Sequence, residues 1–261
     1  MNSLRERFQN IRRLTEKYCE PLNIEDYIPQ VQEYASPPGW HLAHTSWFFE
    51  EMILKKHDVN YNVYDEKFSY LFNSYYESVG ERNFRNRRGA ITRPGVAEIY
   101  NYRKYVDTHV IGLISQNSDK EVERLIELGL NHEQQHQELL LTDLKLALSY
   151  NPLDPIYDTS FKENITAKHQ NEWIKIPEGI HQIGHVNSEF CYDNELGKHK
   201  VYLQHYQISS QLITNKEYLE FINSGGYNNP EYWHSEGWSW IIANEVKHPL
   251  YWKKKSDEWY H

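Results

Sequence analysis

The chain has 261 residues, enough for two domains of ordinary size, and its 25% charged and 39% hydrophobic residues describe a packed globular protein rather than a disordered one. A formal net charge of −9 excludes nucleic acid as a main partner, because phosphate binding needs a basic footprint. Two cysteines, Cys19 and Cys191, exclude a disulfide framework. No apolar run approaches the roughly 20 residues of a membrane span. The first residues, MNSLRERFQNIRRL, lack the apolar core of a signal peptide, so a cytoplasmic soluble protein is expected.

Leu4, Phe8, Ile11, Leu14 and Tyr18 recur at spacings of three and four, the apolar face of a first helix. Ser36-Pro37-Pro38-Gly39 breaks the chain before a second helical stretch from Trp40 to His57. A third helix opens at Pro94, a good first-turn residue, with a stripe through Val96, Ile99, Val106, Val110 and Leu113. The connection before it is long, aromatic and rich in arginine (Arg82, Arg85, Arg87, Arg88, Arg93), and long connections of that kind are commonly functional. Ser118 with Glu121 forms a capping box, opening a fourth helix that runs to about Tyr150. Several amphipathic helices without strand signals predict an up-down bundle over residues 1–155.

After Asn151-Pro152 the pattern changes. Residues 156–171 read as a linker, and short alternating segments follow over residues 172–261, WIKIPEGIHQIG and HKVYLQHYQISS among them. ITNKEYLEFIN is a short helix ending at Gly225-Gly226. The expected fold is therefore helical in its first part and mixed α/β in its second.

The fourth helix carries His132-Glu133-Gln134-Gln135-His136. Residues four apart share one helix face, so both imidazoles reach one point. They continue a stripe through Leu125, Leu128, Leu139 and Leu140, which turns them into the bundle, where unsatisfied ring nitrogens are expensive. A lone inward histidine is commonly a hydrogen-bonded core residue; a pair at this spacing points toward metal. Glu133 invites comparison with the HExxH zinc proteases, without their other features. A third ligand comes from WHLAHTSWFFE, which offers His41 and His44; His44 shares a face with Trp47 and Phe48 and is preferred. Three histidines leave positions open on a metal, and spacing does not separate zinc, nickel and iron. Glu138 lies nearly opposite His136 and reads as structural.

SPPGWHLAHTSWFFE, YLFNSYYESVGERNFRNRRGAITRP and LGLNHEQQHQELLLTDLKLALSYNPL resemble the iron-binding domain of the ergothioneine-biosynthesis sulfoxide synthases, a DinB-like helical bundle. The stretch from WIKIPEGIHQIG to GGYNNPEYW resembles the start of a formylglycine-generating-enzyme-like, or sulfatase-modifying-factor, domain of C-type-lectin-like fold. The resemblance implies an iron(II) held by His44, His132 and His136. It implies coupling of O2 and a thiol, cysteine or gamma-glutamylcysteine, to C2 of the hercynine imidazole, giving a sulfoxide. It also implies that Gln135 contacts the histidine-derived substrate and that Tyr75 and Tyr76 are catalytic, a phenol near the metal being able to supply a proton or hydrogen atom. Arg85, Arg87 and Arg88 suit a carboxylate-bearing thiol, since guanidinium grips carboxylate as a fork; arginine runs are also commonly solvated faces.

A complete domain of the second kind continues well past WKKKSDEWYH, and Cys19 and Cys191 do not match the paired cysteines of the formylglycine-generating enzymes. The expectation is a fragment, half of a split enzyme or a shortened relative. Exposed Trp233, Trp238, Trp240 and Trp252 would then favour a homodimer or a partner chain. The competing readings are a DinB-type thiol transferase using zinc or nickel, and a metal-binding subunit inactive without its partner.

Overall fold

The computed structural model describes residues 3–74, 76, 80–116, 119–162, 171–187, 189–256 and 258–260. The chain divides into two units, Met1–Lys162 and Glu163–His261.

In the first unit, helix α1 (Leu4–Cys19) opens on a reciprocal cap between Ser3 and Glu6. Helix α2 (Pro38–Phe49) starts with proline, whose missing N–H costs nothing in a first turn, and buries every one of its residues. A helix covered all round belongs in the middle of its domain. It packs against α3 (Val96–Gln116) and α4 (Lys120–Ser149), while α1 packs against α4. Among the described residues, no helix is long and apolar enough to cross a membrane.

The element ends differ from the sequence expectation in instructive ways. Helix α2 does not run unbroken to His57; a π-helical turn occupies Glu50–Leu54, with a short α-turn at Lys55–His57 behind it. Glu50 is fully buried and accepts from the hydroxyls of Tyr61 and Tyr102 and from the Tyr64 amide. Helix α3 opens at Val96, two residues past Pro94, with Gly95 supplying its first accepting carbonyl. Asp119 caps α4 by accepting the Glu121 amide; Ser118, the expected cap, lies outside the described residues.

The core joins Phe8 of α1 to Trp47 and Phe49 of α2, Tyr102 and Val106 of α3, and Ile126 and Leu130 of α4. Helix α4 approaches α2 closely at Gly129, where a Cβ would fall 2.6 Å from Phe49 Cε1 and 3.1 Å from Phe48 Cε1. Only glycine permits that approach, one turn before His132.

Within this core lies a buried ionic network. Glu133 of α4 accepts from Arg12 of α1 at 2.9 Å, from Arg103 of α3 at 2.5 Å and from the Thr15 hydroxyl at 2.6 Å. Arg12 also donates to Asp107 and Ser46, and Arg103 to Glu16, Thr45 and the Arg12 carbonyl. Burial by itself raises the Glu133 carboxyl, but Arg103 and then Arg12 overcome it and hold it at about 2.

The second unit is built from antiparallel pairs. Strand β1 (Trp173–Ile176) pairs with β4 (Tyr206–Ser209), with Trp173 opposite Ser209. Strand β2 (Gly179–Ile183) pairs with β3 (His199–Leu203), and β5 (Lys253–Lys255) with β6 (Glu258–Tyr260). Helix α5 (Asn215–Asn223) begins on a Thr214–Glu217 capping box and ends before Gly225, whose φ of +84° suits glycine. Helix α6 spans Ser235–Ala243 and buries Ile241. Phe221, Tyr227 and Trp233 cluster, and the Phe221 ring lies where a Cβ on Gly226 would stand. Trp240 is exposed, whereas Trp233, Trp238 and Trp252 are half-buried.

Removing Glu133 strands two guanidinium groups in the core, so Glu133→Ala is expected to lower the stability of the helical unit by about 3–5 kcal/mol. Because its carboxyl is depressed on folding, its stabilisation is complete above the ordinary value of 4.5 and is lost as pH falls toward about 2. Urea unfolding of wild type and Glu133→Gln across that window measures this: their difference should shrink with acid, and a constant difference would contradict the network's role.

Candidate metal centre

Helix α2 presents Trp40, His41, His44 and Trp47 at spacings of three and four, and α4 presents His132 and His136 toward them. One ring nitrogen from each of His44, His132 and His136 lies within 4.8 Å of the other two. The His44 ring is sandwiched, 4.4 Å from Trp40 at 11° and 5.3 Å from Trp47 at 16°. Its Nδ1 lies 2.6 Å from the Phe72 carbonyl oxygen, which can only accept. Nδ1 therefore carries the proton and Nε2 is left with its lone pair. His132 packs on Phe48 at 4.6 Å, and its buried Nδ1 has no hydrogen-bond partner among the described residues. His136 Nδ1 lies 2.9 Å from His41 Nδ1.

Burial keeps these rings neutral. It pushes His132 down to about 4 against the pull of Glu133. It lowers His44 well below the usual value, helped by neighbouring His132, and lowers His136 likewise, helped by His44 and His132. Neutral imidazoles are the ligating form. Three that converge, one with an orphaned buried nitrogen, fit a borderline transition-metal ion better than a hard cation such as calcium, which takes oxygen.

The set opens on a cavity of about 540 Å³ whose lining includes Tyr76, Arg85, Arg88, Gln135 and Leu139. Gln135 and Leu139 are exposed at its edge. Tyr76 packs against Trp47 and Phe48, and burial raises its phenol, so it stays protonated at neutral pH. Tyr75 lies outside the described residues. Of the three arginines singled out in sequence, Arg85 and Arg88 reach the cavity and Arg87 does not; Arg87 is exposed, with its guanidinium over Phe84. Arg88 is buried, its guanidinium carbon 3.4 Å from the Trp40 ring centroid, and it donates to the hydroxyls of Ser36 and Ser74. It continues the stack that sandwiches His44.

Helix α4 is rotated away from the stripe expected through Leu125, Leu128, Leu139 and Leu140: Leu140 is buried, but Leu125 and Leu128 are half-buried and Leu139 is exposed. The buried residues of α4 include Val122, Ile126, Gly129, Leu130, Glu133, Gln137, Leu140, Asp143 and Leu144, and His132 and His136 are half-buried beside them. That rotation is what lets them face a cavity. Glu133 is no base of the HExxH kind, being consumed by Arg12 and Arg103. Sequence reasoning also passed over Trp40, Ser36 and Asp143. Asp143 follows His136 by seven residues, two helical turns along the same face, which is the one signal that could have found it.

A helical unit bearing a histidine triad is thus followed by a second unit of a different class: residues 159–258 match the sulfatase-modifying factor enzyme 1-like domain. The chain is similar to ergothioneine biosynthesis protein 1 of Neurospora crassa, 29% identical over 145 residues, which are 49% of this chain and 16% of that protein. It is also similar to hercynine oxygenase of Mycolicibacterium smegmatis, 27% identical over 132 residues, 48% of this chain and 29% of that one. The chain thus spans less than a third of the length of the curated relatives it matches. The resemblance to proteins of ergothioneine biosynthesis drawn from its motifs is borne out, at low identity and over about half of the chain.

If the triad holds the ion, His132→Ala or His136→Ala should each abolish stoichiometric binding of a divalent transition metal, with the helical content retained. Metal analysis after anaerobic loading measures it. Full occupancy in either variant would sink the assignment.

Proposed function

We propose that the helical unit is a DinB-like bundle whose His44, His132 and His136 hold one iron(II). In this reading the chain serves an O2-dependent sulfoxide synthase that joins a thiol, cysteine or gamma-glutamylcysteine, to C2 of the hercynine imidazole. The observation that carries the reading is a neutral histidine triad opening onto a cavity that also presents a phenol and two guanidinium groups. Similarity to a hercynine oxygenase supports the substrate.

Iron(II) held by three neutral ligands would supply open coordination positions and one-electron chemistry. The chain's own residues do the rest. Arg85 offers charge to a substrate carboxylate, and Arg88 holds Trp40 against His44 while adding positive charge to the wall. Gln135, at the cavity edge on the helix that bears His132 and His136, offers an amide to the hercynine side. Tyr76 keeps its proton at Oη because burial opposes ionisation, and so stands ready as a donor to the reacting oxygen. Tyr75 is assigned the same kind of role on the motif alone. Trp40 and Leu139 give the cavity apolar surface that limits water.

The test is oxygen uptake and product mass with the iron-loaded chain, hercynine and each thiol in turn. The expected product is a hercynine–thiol sulfoxide, formed with O2 consumption that needs all components. Thiol transfer without oxygen uptake would instead indicate a metal-dependent thiol transferase. Tyr76→Phe should slow sulfoxide formation by on the order of 10²-fold with metal content unchanged. An unaltered rate in that variant would end the proton-donor role.

A further inference from the structure

His41 lies one turn before His44 on α2, is 2% exposed, and touches two residues of α4. Its Nδ1 stands 2.9 Å from Nδ1 of His136, and its Nε2 stands 3.1 Å from Oδ2 of Asp143. Two ring nitrogens that close cannot both carry hydrogens, nor both present lone pairs, without repulsion. One donates and the other accepts.

The direction is set at the far end. The backbone amide of Ser36 donates to the same Asp143 Oδ2 at 2.8 Å, and a carboxylate oxygen offers only lone pairs, so it accepts from both neighbours. His41 Nε2 therefore carries the hydrogen it gives to Asp143. A neutral imidazole has one N–H, so His41 Nδ1 holds the lone pair and accepts from His136 Nδ1. His136 is left with a bare Nε2.

We infer that His41 and Asp143 are positioning residues: Ser36, Asp143 and His41 form a relay that locks His136 in its Nδ1–H form and frees Nε2 as the ligating atom. This rests on the reading of His136 as a metal ligand. It gives two of the three ligands a fixed tautomer by different means, His44 directly through the Phe72 carbonyl and His136 through an intervening imidazole. A carboxylate at the end of a histidine relay also makes the ligating nitrogen a better donor. The relay spans α2 and α4, so it ties ligand orientation to the packing of the two helices that supply the site.

The direct test needs no metal. Two-bond proton–nitrogen correlations on the metal-free, 15N-histidine-labelled chain report each tautomer, with His41→Phe and His136→Ala used for assignment. His136 should be Nδ1-protonated and His41 Nε2-protonated; the reverse pattern overturns the relay. Competition with a chromophoric chelator for zinc(II) gives the second readout. His41→Phe and Asp143→Leu should each weaken binding by about 10–100-fold. Asp143→Asn, whose amide oxygen can still accept from Ser36 and His41, should lose less than Asp143→Leu. Unchanged affinity in His41→Phe overturns the proposal, and if that variant does not fold the wild-type tautomers decide alone. A wild-type chain with the expected tautomers and no metal affinity would sink the ligand assignment while leaving the relay in place.

Discussion

The carboxylate of Glu133 is the point on which the helical unit turns. It has no solvent exposure, and its two oxygens are claimed by guanidinium groups from two other helices. Two buried arginines cost several kcal/mol each to desolvate, and hydrophobic residues of the same volume could give equal stability. What they could not give is direction. If α4 rotated or slid by one residue, Glu133 would leave Arg12 and Arg103 without their shared partner in a medium where that is severely penalised. Glu133 adjoins His132 and precedes His136 by three residues. A network that fixes the rotation of α4 therefore fixes where both imidazoles point.

Orientation is then refined on the α2 side by stacking. Arg88, Trp40, His44 and Trp47 lie in one pile, with a cation at one end and an imidazole in the middle. Close packing restricts the His44 ring plane, and the Phe72 carbonyl chooses its tautomer. The same burial that locates the rings suppresses their protonation, so geometry and ligand chemistry have a common physical cause. A more exposed triad would hold protons that a metal must displace.

The parts of this arrangement legible in the sequence are the local ones. His132 and His136 could be paired because four residues make one helical turn, and His44 could be chosen from its apolar neighbours. The Thr214–Glu217 cap and the Gly225 stop of α5 are likewise written in adjacent residues. The inward face of α4 departs from the leucine stripe because such a stripe gives no weight to Gly129 and Glu133, which hydropathy scores as neutral or polar. Gly129 is buried because Phe49 needs its space, and Glu133 because Arg12 approaches from 121 residues away. Such long-range pairings leave no periodic trace. The same holds for His41 and Asp143, 102 residues apart, and for Arg88, whose partner Trp40 makes it part of the site's wall rather than a free surface charge.

The long connection between α2 and α3 carries short helical turns at Phe68–Leu71 and Arg85–Ala90, and the described residues between them lie outside regular structure. Side-chain amides hold described parts of that backbone. Asn73 is fully buried, accepts the Tyr76 amide and donates to the carbonyls of Tyr76 and Gly80. Gln30 donates to the Arg85 carbonyl and accepts the Gly89 amide. Arg82 closes onto the Ser74 carbonyl. Those bonds satisfy backbone groups that would otherwise be costly to bury beside the cavity. The Phe72 carbonyl that orients His44 belongs to the same segment as Tyr76, Arg85 and Arg88. Ligand tautomer, phenol and guanidinium charge are thus set by a single stretch of chain, and a shift in its anchoring at Asn73 or Gln30 would disturb all three together.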